Sequence, residues 1–210
     1  MPRLPDDEIA RLHRRADELL PLGSLLSDGG EVPPAWSEAL HALADRLGAS
    51  YPFADPQYLG QMLKPPHPVA WSAYAMAMLL NPNNHALDGG PATAHLEREA
   101  VADIAGMLGY GEHLGHLTAS GTQANLEALW AARSLRPGDV IVSGANAHYT
   151  HARISEVVGA RHESVAQTAD GVLDVDALAE RLAAGGVGTV VATLGTTGLG
   201  RLDPVHRIAD

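Results

Sequence analysis

Gly115 to Leu129 reads G-H-L-T-A-S-G-T-Q-A-N-L-E-A-L. Residues Leu114 to Thr118 are apolar and strand-compatible, Ala119-Ser120-Gly121-Thr122 is a turn of small residues, and Leu126, Leu129 and Trp130 then recur at helical spacing. Strand, small turn and helix in that order make a seat for an anion. The first amides of a helix lack intrahelical partners, and the helix dipole favours negative charge at that end. Gly121 lets an anion approach the backbone, and Ser120 and Thr122 add hydroxyls. An isolated S-G-T is more often an ordinary capped helix, so the rest of the chain has to choose between the two readings.

Downstream the pattern becomes regular. Strand candidates Leu114 to Thr118, Asp139 to Ser143, His162 to Ala166 and Thr189 to Leu194 alternate with helix candidates Thr122 to Leu135, Tyr149 to Val158, Val175 to Ala184 and Pro204 to Ala209. That alternation predicts βαβ units, hence an α/β fold with a largely parallel sheet between helices. Ligands of such sheets sit at the carboxyl ends of the strands. Ser120 to Thr122, His148 and Gly195-Thr196-Thr197 are all expected there. Neither G-x-x-x-x-G-K-[ST] nor G-x-G-x-x-G occurs, which removes the usual loops for nucleoside triphosphates and dinucleotides and leaves a small phosphorylated cofactor.

Upstream, Asp6 to Leu20 reads as a helix with Ile9, Leu12, Ala16, Leu19 and Leu20 on one stripe. A Gly/Pro-rich break, Gly29 to Pro34, precedes a second amphipathic helix, Ala35 to Leu47, with Trp36, Leu40, Leu43 and Leu47 inward. The proline-rich Tyr51 to Pro68, ending L-K-P-P-H-P, is expected to be an extended connector. A helix from Val69 to Leu80 stops at Asn81-Pro82-Asn83-Asn84. After Asp88-Gly89-Gly90, Pro91 opens a further helix with Leu96, Ala100, Ile104 and Met107 inward.

Composition narrows the partners. A net charge of −11 without a Lys/Arg cluster argues against nucleic acid. Val69 to Leu80, the most apolar run, is too short for a membrane span, and no signal pattern opens the chain, so a cytoplasmic protein without membrane contact is expected. Cysteine is absent, which excludes disulfides and thiolate metal sites. Among eleven histidines, His113 with His116 and His148 with His151 are spaced i, i+3. Without H-E-x-x-H, no metal is expected. Lys64 is the only lysine beside thirteen arginines.

Four blocks resemble the group II pyridoxal-phosphate-dependent decarboxylases, the family of aromatic amino acid, glutamate and histidine decarboxylases. They are P-P-H-P at 65 to 68, G-G-P-A-T-A-H-L-E at 89 to 97, T-A-S-G-T-Q-A-N at 118 to 125, and S-G-A-N-A-H-Y-T-H at 143 to 151 with A-T-L-G-T-T-G-L-G-R-L-D-P from 192. The resemblance implies the aspartate-aminotransferase type of fold (PLP fold type I), with active sites at a dimer interface. Residues 1–50 would form an N-terminal helical arm, and residues 51–210 the N-terminal part of the cofactor-binding large domain. It implies pyridoxal 5'-phosphate (PLP) as cofactor, held by Ser120, Gly121 and Thr122 at its phosphate. His148 would stack on its ring as the catalytic residue and help reprotonate the product, and Thr196 would face it. Pro66 and His67 would line the substrate mouth. Asp203 is expected to cap the helix begun by Pro204, with no catalytic role.

The chain also departs from the family. Ala119-Ser120 replaces a commoner Ser-Gly, Gln123 a usual Glu, and Arg153 stands where lysine is common. In the family a strand bearing H-V-D-A supplies an aspartate for the pyridine nitrogen, and a later lysine forms the Schiff base; neither motif occurs in these residues. Lys64 precedes the sheet and is an unsuitable substitute. The expectation is therefore a half-subunit of an L-amino acid decarboxylase, completed by a C-terminal half polypeptide carrying that Asp and the Schiff-base Lys, in a dimer-type assembly. The alternatives are a fragment of such an enzyme, another carbon-carbon lyase of the same fold, or an inactive regulatory or scaffolding half.

Overall fold

The computed structural model describes residues 5–19, 34–60 and 64–210. The break over Gly29 to Pro33 and the stripe position Leu20 lie outside the described residues, as do the side chains of Ile9, Ala16 and Leu19. Residues 1–100 and 101–210 form two compact units. Among the described residues no helix is long and apolar enough to cross a membrane.

The first unit is helical. It holds α1 (Asp6–Leu19), α2 (Pro34–Gly48), α3 (Pro68–Leu80) and the beginning of α4 (Pro91–Met107). α1 packs on α3. Pro68 opens α3, where a missing N–H does no harm, and His67 caps it by accepting the Val69 N–H on Nδ1 at 3.3 Å. Asn81 ends α3 in the left-handed region at φ 41°, with its N–H donated to Ala77 O at 2.9 Å, and Pro82 cannot resume the helix. Over Tyr51 to Tyr58 the connector after α2 is not extended as expected. It is folded through turns that pair Phe53 N with Tyr51 O, Asp55 N with Pro52 O and Tyr58 N with Asp55 O, and the rings of Tyr51, Phe53 and Tyr58 cluster over them.

The second unit carries the sheet. β1 (Val140–Gly144) lies between β2 (Arg161–Val165) and β3 (Val187–Val191), all parallel, in the order β2-β1-β3. Helices α5 (Gly121–Leu135), α6 (Thr150–Val157), α7 (Val175–Ala183) and α8 (Val205–Ala209) complete it. Every residue of β1 is buried, as a central parallel strand covered on both faces requires. Alternation along β1 sends Val140 and Val142 to a cluster with Val165, Leu173 and Leu178, and Ile141 to a second cluster with Leu129 and Ile154.

Two groups of expectations are corrected. Leu114–Thr118 is not a strand of this sheet: both edges of β1 are taken by β2 and β3, the segment joins no ladder among the described residues, and Leu114 is fully exposed. The apolar stripes of α2 and α4 are not turned inward within this chain. Trp36 is 62% exposed and Met107 85%, and Leu40, Leu43, Leu47, Leu96 and Ile104 are likewise exposed. Periodicity shows which face is apolar; it does not supply the surface that covers it.

Candidate active site

α5 joins β1 through a short turn and therefore runs antiparallel to it, so its first residues return to the edge where β1 and β3 end. Its start is the expected seat. Ser120 is the N-cap, extended at φ −165° and ψ 160°, and its Oγ accepts the Gln123 N–H at 3.2 Å. The Ser120 carbonyl accepts from Ala124 N and from the Thr118 hydroxyl, at 3.0 Å each. Among the described residues the amides of Gly121 and Thr122 and the Thr122 hydroxyl have no protein partner, and all three residues of Ser120-Gly121-Thr122 are exposed. Beyond its chain neighbours and the backbone of its own helix, no atom lies within 4 Å of where a Cβ on Gly121 would stand, so that side is open to a ligand.

His148 lies in the loop leaving β1. Its ring stacks on Tyr149 with centroids 4.3 Å apart, and its Nδ1 meets Thr150 Oγ1 at 2.8 Å and accepts the Thr150 N–H at 3.4 Å. An accepting Nδ1 places the proton of the neutral ring on Nε2, the edge turned away from Thr150. Behind this exposed ring is a polar layer that sequence reasoning missed. His151 on α6 is 9% exposed, and its Nδ1 is buried with no partner among the described residues. His162 on β2 meets Ser143 Oγ with Nε2 at 3.0 Å. Burial holds the pKa of both rings below the ordinary histidine value; for His151 the charges of His148 and His162 act in the same direction, and for His162 Glu163 opposes.

Thr196 sits in the loop leaving β3 and is buried. Its Oγ1 accepts the Arg201 N–H at 3.0 Å, its own N–H donates to Arg201 O at 2.9 Å, and its carbonyl accepts from Gly200 N at 2.8 Å. The loop is thus a closed strap, sealed where Leu194 bridges Leu202. Asp203 follows the strap and is not the expected helix cap, for α8 begins at Val205 with Pro204 in the cap position. Instead the Asp203 carboxylate, 5% exposed, accepts the Leu173 N–H on Oδ1 at 2.8 Å and the Thr193 N–H on Oδ2 at 2.7 Å. Nothing in the spacing announces this role, since both partners are brought to it by the fold.

Pro66 and His67 belong to the first unit, His67 as the cap of α3. In that unit Asn84 fastens the loop before α4: its Nδ2 donates to Glu97 Oε2 at 2.7 Å, and its Oδ1 accepts from the Thr93 hydroxyl at 2.9 Å. Lys64 donates from Nζ to Tyr58 O at 3.0 Å and Asp55 O at 3.4 Å, with Nζ 5.5 Å from the Tyr58 ring centroid. The histidine pairs divide: His113 Nδ1 meets Gly111 O at 3.0 Å, whereas His116 Nε2 meets Glu127 Oε2. Among the described residues no group of three or more His, Cys, Asp or Glu side chains could hold a metal. A cavity of about 230 Å³, lined by Ile104, Leu108, Tyr110, His113 and Leu117 among others, includes none of Ser120, Gly121, Thr122, His148 or Thr196.

No family model matches the chain. It is 35% identical over 154 residues to a Halobacterium salinarum protein named "Probable L-aspartate decarboxylase", an alignment covering 72% of this chain and 42% of that protein. It is 37% identical over 120 residues to the L-tyrosine decarboxylase of Enterococcus faecium, covering 53% of this chain and 20% of that protein. Among solved structures, the crystal structure of Oryza sativa TDC with PLP and tryptamine superposes with a TM-score of 0.72 at 20% identity, covering all of this chain and 56% of that one. The chain thus spans less than half the length of these two sequence relatives. In sequence and in fold, the 210 residues are similar to part of amino acid decarboxylases of the group II pyridoxal-phosphate-dependent family.

Proposed function

We propose that this chain supplies the phosphate seat and the ring-stacking histidine of a PLP-dependent L-amino acid decarboxylase. The observation that carries the reading is the donor set at the start of α5. Two amides and a hydroxyl without protein partners converge there beside an unobstructed Gly121, at the positive end of a helix of 15 residues. Those residues fit a phosphate monoester. The Ser120 hydroxyl serves twice, since its lone pair caps Gln123 while its proton remains available to a phosphate oxygen.

When bound, PLP supplies a protonated pyridine ring that accepts the electron pair left as the α-carboxylate departs as carbon dioxide. The chain's own residues bind, orient and move protons. Gly121, Thr122 and Ser120 anchor the phosphate. His148, its ring set by Thr150 and Tyr149, stacks on the cofactor and presents Nε2 as the atom that holds or delivers a proton. Thr196 offers its hydroxyl proton from a strap that Arg201 and Asp203 keep closed. Pro66 and His67 contribute to the substrate mouth.

The aspartate for the pyridine nitrogen and the lysine that anchors the cofactor come, in this proposal, from polypeptide beyond these 210 residues, a separate C-terminal half that completes a dimer-type assembly. Two features support it. The only lysine is already held by two carbonyls and a ring, and the strand-compatible Leu114 to Thr118 lies outside the sheet. The test is borohydride reduction of the isolated protein with added PLP, followed by intact mass of every polypeptide present and assay for carbon dioxide and amine. The expected result is a pyridoxyl adduct on a second polypeptide, with both products released. An adduct on Lys64, or no PLP uptake, overturns the proposal.

A further inference from the structure

The phosphate seat is tied together from behind by side chains for which no part has yet been found. His116 belongs to the segment entering the turn, and its Nε2 meets Oε2 of Glu127, which lies on the helix leaving the turn. The other Glu127 oxygen, Oε1, accepts from Gln123 Nε2 at 3.1 Å, and the Gln123 N–H is bound to Ser120 Oγ. The hydrogen bonds to His116 and Gln123 keep the Glu127 carboxyl below the ordinary glutamate range, so it is ionised and accepts from both sides. A continuous chain of contacts, His116 to Glu127 to Gln123 to Ser120, therefore spans the turn that presents the Gly121 and Thr122 amides.

We infer that His116 and Glu127 are positioning residues for the phosphate seat, fixing the angle between the entering segment and α5 and with it the aim of the two free amides. The inference rests on the reading of Ser120 to Thr122 as the phosphate site. Charge alone would set Glu127 against such a site. It lies roughly 9 Å along the helix from Gly121, close enough for its negative charge to oppose a phosphate. An exposed ion pair with no further role would contribute little. A brace and a bare charge thus predict opposite signs: if geometry matters more, removing the carboxylate weakens phosphate binding although it removes a repulsion.

The experiment titrates the full chain with inorganic phosphate and with PLP, following the Gly121 and Thr122 amide resonances by NMR and checking the fold by far-UV circular dichroism. His116→Ala and Glu127→Ala should each weaken binding about fivefold, and the double variant no further than either alone. Glu127→Gln removes the charge but keeps one of the two accepting oxygens, so it should fall between the parent and Glu127→Ala. Phosphate binding by Glu127→Ala that equals or exceeds the parent overturns the brace. If the parent's own Gly121 and Thr122 amides respond to neither ligand, the reading of the seat itself fails and the brace with it.

Discussion

Asp203 shows how much one side chain can hold in place. Its two oxygens accept from the amides of buried Leu173 and half-buried Thr193, which belong to different loops, so its loss leaves two N–H groups without acceptors. Asp203→Ala should lower unfolding stability by about 3 kcal/mol, read from urea midpoints, with Asp203→Asn intermediate because an amide offers only one acceptor oxygen. Buried His151 and half-buried His162 make a second prediction. Burial lowers the folded pKa of His151 and His162 below the unfolded value, so as the pH falls the unfolded chain takes up protons first. Their contribution is complete above about pH 6.5 and is lost as the pH falls through the unfolded value toward the folded ones. Urea midpoints should therefore decline from about pH 7.5 to about pH 5, and His151→Leu should flatten that decline. These roles were hidden from the sequence because they arise from contacts 30 residues apart for Asp203 with Leu173 and 19 for Ser143 with His162. The turn residues Ser120 to Thr122, by contrast, announce a capped helix from composition and order alone.

At the scale of the element, α5 performs two tasks at one end: it needs a cap, and it offers its first amides outward. The tasks can be separated. Ser120→Asp keeps a good cap and should hold stability within about 0.5 kcal/mol, while its charge repels an incoming phosphate and weakens binding. Ser120→Ala should lose about 1 kcal/mol of stability along with some affinity. Thermal unfolding beside phosphate titration checks both, and phosphate affinity unchanged in Ser120→Asp would argue against the seat. The alternation of strands and helices after residue 139 was legible because a parallel sheet covered on both faces demands continuous apolar runs such as Val140 to Val142. Leu114 to Thr118 is also partly apolar, yet strand formation requires a neighbour, which no local pattern can report.

For the whole molecule, the same distinction separates what periodicity reveals from what it withholds. The stripes of α2 and α4 are real, but their leucines, Trp36 and Met107 face outward within this chain. Covering them is work for surfaces other than the described residues of this chain, which accords with the proposed assembly and with a chain that spans only part of its relatives. Charge use across the chain is equally uneven, with thirteen arginines against Lys64 alone. That lysine is held beside the Tyr51, Phe53 and Tyr58 rings by the carbonyls of Asp55 and Tyr58. Apart from an α-amino group, an amine-reactive dye therefore has a single side chain to enter in these 210 residues, and its emission from there reports on that aromatic turn.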